Sequence, residues 1–260
     1  MRSNTPELLS NFAFQYKIHL MKNKQRVINL YDNWYRNNRE NIINKNWNLI
    51  DESTLYNPEG DKLRGLNIIV YLPISLSEEI DKKILSRIPD KILSSGWIIP
   101  KEGRHFTLLD IIPHNSGWNI DKIKSKSDEY IEVLDKEIKY HKEIIKVGFE
   151  GVFASTDGIT IQGYPLNSGL HRLRDSLRKA LSSNRLANLE KKKYEIETAH
   201  VALLKFTKVL NGKKLINIID NLRRIPLGNF EVKELVLNIS PRYDKVNTIE
   251  IIKKYKIPFT

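Results

Sequence analysis

Cysteine is absent from all 260 residues. That excludes disulfides, thiolate metal sites and a cysteine nucleophile, and it fits a reducing compartment. No apolar run approaches the roughly 20 residues that a membrane-spanning helix needs. The opening stretch MRSNTPELLSNFAFQYKIHL lacks the continuous apolar segment of about 7–15 residues and the small-residue cleavage site of a secretory signal. A cytoplasmic protein with no membrane partner is therefore expected. Also missing are an HExxH pattern, a dense His/Asp cluster and a Gly-x-x-x-x-Gly-Lys-Ser/Thr loop. No metal, no other cofactor and no use of ATP are expected.

What is present suits a globular protein. Hydrophobic residues make up 40% of the chain and charged residues 28%, enough for a substantial core in one large domain or two small lobes. Lys and Arg number 43 against 31 Asp and Glu, a formal charge of +12 with pI near 9.6. Such a surface draws phosphate polyanions by long-range attraction, although lysines spread over many helices give the same total.

Residues 1–64 read as a helical N-terminal extension. From Lys17 to Trp47 the apolar residues Ile18, Met21, Val27, Leu30, Tyr31 and Trp34 stand at helical spacing in one or two amphipathic helices. Asp51 to Arg64, with Pro58 and Gly60, reads as a loop. Residues 65–260 then alternate. GLNIIVYLPI (65–74) and RHFTLLDII (104–112) read as strands. Between them a helix starts at Ser77, before Glu78 and Glu79, and continues to Leu93. A second helix spans Asp121 to Lys142. Two strands, 144–154 and 158–164, meet at the hairpin turn Ser155-Thr156-Asp157-Gly158. Ser168 caps a helix to Ser183 with Leu170, Leu173, Leu177 and Leu181 on one face. A polar linker from Ser183 to Lys193 leads to a strand at TAHVALLKF (198–206), a helix from Gly212 to Arg224, and terminal strands at 229–240 and 247–256 separated by Pro241 and Asp244. Two strand–helix–strand halves in succession predict an α+β fold of two pseudo-symmetric lobes about a central groove.

Of six histidines, two are placed alike. His105 opens HFTLLD and His200 opens HVALLK. Positions i and i+2 of a strand share a face, so His105 projects with Thr107 and His200 with Ala202, while Phe106 and Val201 face the core. Asp110, five residues after His105, faces away from it in an ideal strand. A hydroxyl beside an imidazole can hold a phosphate oxygen while the imidazole moves a proton. With an ordinary pKa near 6.5, two such imidazoles facing each other give a general base and a general acid around one phosphorus. His114 follows a strand end, near the rim of the site. His141 ends a Lys-rich helix, His171 lies early in a helix and His19 sits in the extension; these read as structural.

These features resemble the 2H phosphoesterase superfamily, which includes RNA 2′,5′-ligase-like proteins, 2′,3′-cyclic phosphodiesterases and viral 2′,5′-phosphodiesterases. Its mark is two His-x-Ser/Thr motifs on strands of two pseudo-symmetric lobes. Here they correspond to His105-Phe106-Thr107 and His200-Val201-Ala202, with GITIQGYPL and GLHRLRDSLRKAL before the second. The resemblance covers about residues 65–240. It departs at Ala202, where the family has Ser or Thr; an unreplaced hydrogen bond to a charged oxygen there costs about 1.5–3 kcal/mol. It implies metal-independent cleavage of 2′-linked or 2′,3′-cyclic phosphates of RNA, oligoadenylate or a related nucleotide, with His105 and His200 catalytic and their acid and base roles unassigned. Thr107 and Ala202 stand at the motif's substrate-binding positions. Thr198, on the strand face of His200, Tyr164 and Tyr243, as aromatics that can stack a base, and Arg242, as a positive charge, join them as substrate-binding candidates from their own places in the sequence. Trp118 is a further candidate for stacking a base, and Arg104 and Lys205 for supplying positive charge. Two other readings keep the histidine pair inert: an RNA- or nucleotide-binding module, and a factor whose N-terminal extension binds a protein partner.

Overall fold

Apolar residues four apart put Val27, Tyr31 and Tyr35 on one stripe, with Ile42 two turns further on, and the chain winds them into a single long helix, α1 (Thr5–Ile43). The computed structural model describes residues 5–56, 62–190, 195–243 and 248–257, with side chains from residue 24 onward. The side chains of Ile18, His19 and Met21, the loop residues Pro58 and Gly60, residues 191–193 of the linker, and Asp244 lie outside the described residues. After α1 come α2 (Glu52–Tyr56), β1 (Gly65–Tyr71), α3 (Ile74–Lys83), α4 (Asp90–Leu93), β2 (Gly96–Ile98), β3 (His105–Ile112), α5 (Ile120–Lys124) and α6 (Ser127–Tyr140). The second half holds β4 (Lys146–Ser155), β5 (Gly158–Pro165), α7 (Gly169–Ser183), β6 (Val201–Phe206), α8 (Gly212–Leu222), β7 (Pro226–Glu231), β8 (Glu234–Ser240) and β9 (Glu250–Lys256).

The architecture is α+β, as expected. The strands form one antiparallel sheet in the order β7-β4-β5-β6-β3-β1-β8-β9, with β2 also on β6. Each side of the sheet carries its motif strand innermost, so β3 and β6 meet at the middle, and β8 and β9 from the end of the chain return to the β3 side beside β1. Their pairing is confined to Phe106 opposite Val201. Beyond it β6 takes β2 as its neighbour, from Ile98 opposite Leu204 to Gly96 opposite Phe206. The sheet therefore divides at this seam into two lobes. Arg174 of α7, fully buried, braces the division: its guanidinium donates to the carbonyls of Leu108 (2.7 Å) and Thr107 (3.1 Å) on β3 and of Thr198 (2.7 Å) ahead of β6.

Several element boundaries differ from the sequence reading. The helix expected over 77–93 starts earlier, after Pro73, and breaks. Pro89 disfavours helical backbone at Ile88, which is extended at φ −93°, ψ 121°, and α4 begins anew after the proline. The helix expected from 121 divides into α5 and α6. Ser168 makes no capping bond; its hydroxyl donates to Glu143 at 3.1 Å. The loop expected over 51–64 includes α2, and Leu55 is buried. Residues 198–200 precede β6 rather than belong to it.

α1 packs on β4, β5 and α8. Burial holds the Tyr31 phenol above its ordinary pKa, so it stays protonated; it donates to the carbonyl of Gly163 on β5 and accepts from the Gly163 amide, at 2.9 and 3.0 Å. Only glycine fits at 163, because a Cβ there would lie 2.0 Å from the Ala199 carbonyl oxygen.

Candidate active site

His105 opens β3 and His200 stands immediately before β6. Each is the neighbour of one member of the Phe106–Val201 pair, the point where the lobes touch. Phe106 and Val201 are fully buried, so the alternating side chains His105, Thr107, His200 and Ala202 face the other way, and all four line one cleft of about 1080 Å³.

The two motif strands also carry bulges at matching positions. Leu108 is passed over between Ile68–Leu109 and Ile69–Thr107. Leu203 is passed over between Ile159–Leu204 and Thr160–Ala202. An extra residue in one strand re-aims the side chains beyond it. Both leucines of each Leu-Leu pair are buried, and the next residue turns back to the cleft: Asp110 after Leu109, Lys205 after Leu204. This corrects the reading of Asp110 as facing away, which holds only for an unbulged strand.

Each motif imidazole is held through Nδ1. His105 Nδ1 lies 2.8 Å from the Gly103 carbonyl oxygen. A carbonyl only accepts, so this nitrogen carries the hydrogen and proton exchange falls to Nε2. His200 Nδ1 lies 2.7 Å from the Thr198 hydroxyl, which can donate or accept. The Thr198 hydroxyl also interacts with the Tyr31 phenol, tying His200 to α1. Trp34 of α1 stands edge-to-face with the His200 ring, centroids 6.0 Å apart and planes at 90°.

Charge in the cleft is mixed. Lys205 and Arg242 face it, but so do Asp110, Asp157, Glu195 and Glu197. Lys205 pairs with Asp157 at 2.6 Å, and its charge holds the Asp157 carboxyl below the ordinary range despite burial, which pushes the other way. Glu197 pairs with Arg26 of α1 at 2.8 Å. With its amide nitrogen oriented to donate, Asn67 bonds Asp110 at 2.6 Å. Among the described residues, no group of three or more His, Asp or Glu side chains is placed to hold a metal ion, and no described helix is long and apolar enough to cross a membrane.

Of the residues singled out from sequence, the cleft brings together His105, Thr107, His200, Ala202, Lys205, Arg242, Tyr243 and, at its lining, His114. It does not bring in Tyr164. That residue shares a strand face with Thr160, but Tyr31 of α1 packs on it with ring centroids 5.2 Å apart, and Tyr164 is buried. Thr198 is fully buried and does not line the cleft; its hydroxyl is committed to His200. Arg104 is buried too, donating to the carbonyls of Ile99 and Ser77 and to Asp81 at 2.5 Å. Trp118 stands under the Lys122 ammonium, outside the cleft lining. Sequence reasoning missed the contribution of residues 24–50: Leu30, Trp34 and Asn38 of α1, then Asn48, Leu49 and Ile50, all line the cleft. It also missed Thr160 and Trp97, whose place follows only from the strand order.

No protein-family model matches the chain, and no curated protein sequence matches it. Solved structures do. A structure described as a phosphoesterase matches at 14% identity and a TM-score of 0.50, and the protein TT0787 of Thermus thermophilus at 12% and 0.51. Each comparison covers 75% of this chain and 98% of the other. The chain shares their fold, and a quarter of it has no counterpart in either.

Proposed function

We propose that the cleft is a metal-independent phosphodiesterase site of the 2H type, acting on 2′-linked or 2′,3′-cyclic phosphates of a nucleotide or RNA end. The observation that carries this reading is the convergence of His105 and His200 on one face of the seam, each held by Nδ1 so that Nε2 does the proton transfer. The phosphoesterase fold supports it.

The carbonyl partner of His105 sets its neutral form with the lone pair on Nε2, which suits a general base that deprotonates water or a neighbouring ribose hydroxyl. His200, as imidazolium, donates Nδ1–H to the Thr198 hydroxyl and delivers the Nε2 proton to the departing ribose oxygen. The Thr107 hydroxyl bonds a non-bridging oxygen as charge builds on it. Four carboxylates against Lys205 and Arg242 make the cleft a poor track for a long polyanion, which needs a run of positive charge. A small nucleotide, or the single terminal phosphate of an RNA, suits it better.

The test is a panel of nucleoside 2′,3′-cyclic phosphates and 2′,5′-linked oligoadenylate, assayed in EDTA. Cleavage is expected to persist in EDTA, and His105→Ala and His200→Ala are each expected to lower it by about 10²–10⁴-fold. Unaltered cleavage in both variants would refute the reading.

A further inference from the structure

The second motif lacks the hydroxyl that its first counterpart has at Thr107, and the sheet shows where another stands. Thr160 of β5 is directly opposite Ala202 of β6, and Phe153 of β4 is directly opposite Thr160. Opposite residues on neighbouring strands point to the same side, and Phe153, Thr160 and Ala202 all line the cleft. Phe106 pairs with Val201, the residues next to His105 and Ala202, and His105 and Ala202 both line the cleft where the two strands part. Ala202 therefore lies on the strand between those that carry the imidazole and the threonine hydroxyl.

Thr160 is nearly buried, 8% exposed, and its side chain makes no hydrogen bond with the described residues. The hydroxyl is not among the enclosed, unpartnered side-chain atoms, and the side on which it is open is the cleft that Thr160 lines. The spacing fits a phosphate. At Val201, which pairs with Phe106 of β3 and Ile161 of β5, the two outer strands stand two strand spacings apart, roughly 10 Å. A hydrogen bond of about 2.8 Å from each side leaves room for one phosphate group between them, centred over Ala202. A Ser or Thr at 202 would occupy part of that space; an alanine leaves it open.

We propose that Thr160 is the phosphate-binding hydroxyl of the second lobe, replacing the one missing at 202, and that the small side chain of Ala202 lets the phosphate settle toward β5. The inference rests on the phosphodiesterase reading above. Its role is to donate to a non-bridging oxygen, with no proton transferred, so the histidine-dependent pH profile should not move when it is removed.

The experiment uses the full chain and adenosine 2′,3′-cyclic phosphate. Thr160→Val, nearly isosteric, is expected to lower kcat/KM about ten- to a hundredfold, the size of one lost hydrogen bond to a charged oxygen, with the shape of the pH–rate profile unchanged. Thr160→Ser should stay within about threefold of the parent protein. Adding Ala202→Thr to Thr160→Val should recover at least about tenfold, which a merely structural threonine at 160 would not allow. Thr160→Ala reads the same quantity if the valine variant folds poorly. A Thr160→Val protein within twofold of the parent, or a double variant no better than Thr160→Val with an unchanged melting curve, overturns the inference. In either case activity of the parent protein that depends on His105 and His200 keeps the phosphodiesterase reading standing. If the parent protein cleaves none of the panel, that reading fails, and inorganic phosphate binding that Thr160→Val weakens at least tenfold would still support the hydroxyl's role; unchanged phosphate binding would overturn it.

Discussion

At the scale of single residues, the site depends on how two imidazoles are held, and a third histidine is held in the opposite sense. His171 of α7 has its Nε2 enclosed without a hydrogen-bond partner among the described residues. Burial, reinforced by the charges of Arg174 and Arg26, holds its pKa down to about 4. A histidine whose folded pKa lies below its unfolded value near 6.5 stabilises the fold above that unfolded value. The contribution shrinks as pH falls, because the unfolded chain takes up the proton first, and it is gone below about pH 4. Denaturant unfolding between pH 7 and 4.5 should therefore show a loss on the order of 1–2 kcal/mol from this residue, discounted for its partial exposure. His171→Gln should flatten that part of the curve. An identical pH dependence in the variant would show that the ring is not held neutral.

At the scale of elements, α1 is built into the site. Its Tyr31 bonds both backbone groups of Gly163, its Trp34 faces His200 and its Asn38 accepts from the Thr156 amide in the β4–β5 turn. Tyr31→Phe removes the acceptor for the Gly163 amide and is expected to lower the unfolding free energy by about 1–3 kcal/mol; an unshifted unfolding midpoint would contradict this docking. The helical spacing of Val27 and Tyr31 is legible in the sequence, as are β3, β4, β5 and α7, because each is a long run with one period. What α1 packs against is not legible, since an amphipathic stripe says only that something covers it. Nor are the bulges at Leu108 and Leu203. Strand parity assumes two residues per repeat, and one extra residue in HFTLLD or VALLKF reverses it, which is why parity puts Asp110 on the wrong side. Tyr164 fails for a related reason: it lies on the cleft-side face of β5, and a helix from far away in the chain covers it.

At the scale of the whole molecule, two similar halves place equivalent residues at equivalent points of a divided sheet, and Arg174 binds carbonyls from both sides of the division. The pairing of HFTLLD with HVALLK is legible because it repeats a pattern, and repetition survives without knowledge of strand order. The identity of the second hydroxyl is not, because Thr160 reaches the site through a neighbouring strand. The net charge of +12 does not gather in the cleft, where paired carboxylates offset the cations, so the overall positive field serves approach more than grip. The central claim is that His105 and His200 pass protons around one phosphorus without a metal. The pH–rate profile of nucleoside 2′,3′-cyclic phosphate hydrolysis in EDTA tests it most directly. The account predicts a bell for the parent protein, with the acid limb lost in His105→Ala and the alkaline limb lost in His200→Ala. A bell that keeps both limbs in either variant, or a reaction that EDTA abolishes, would contradict it.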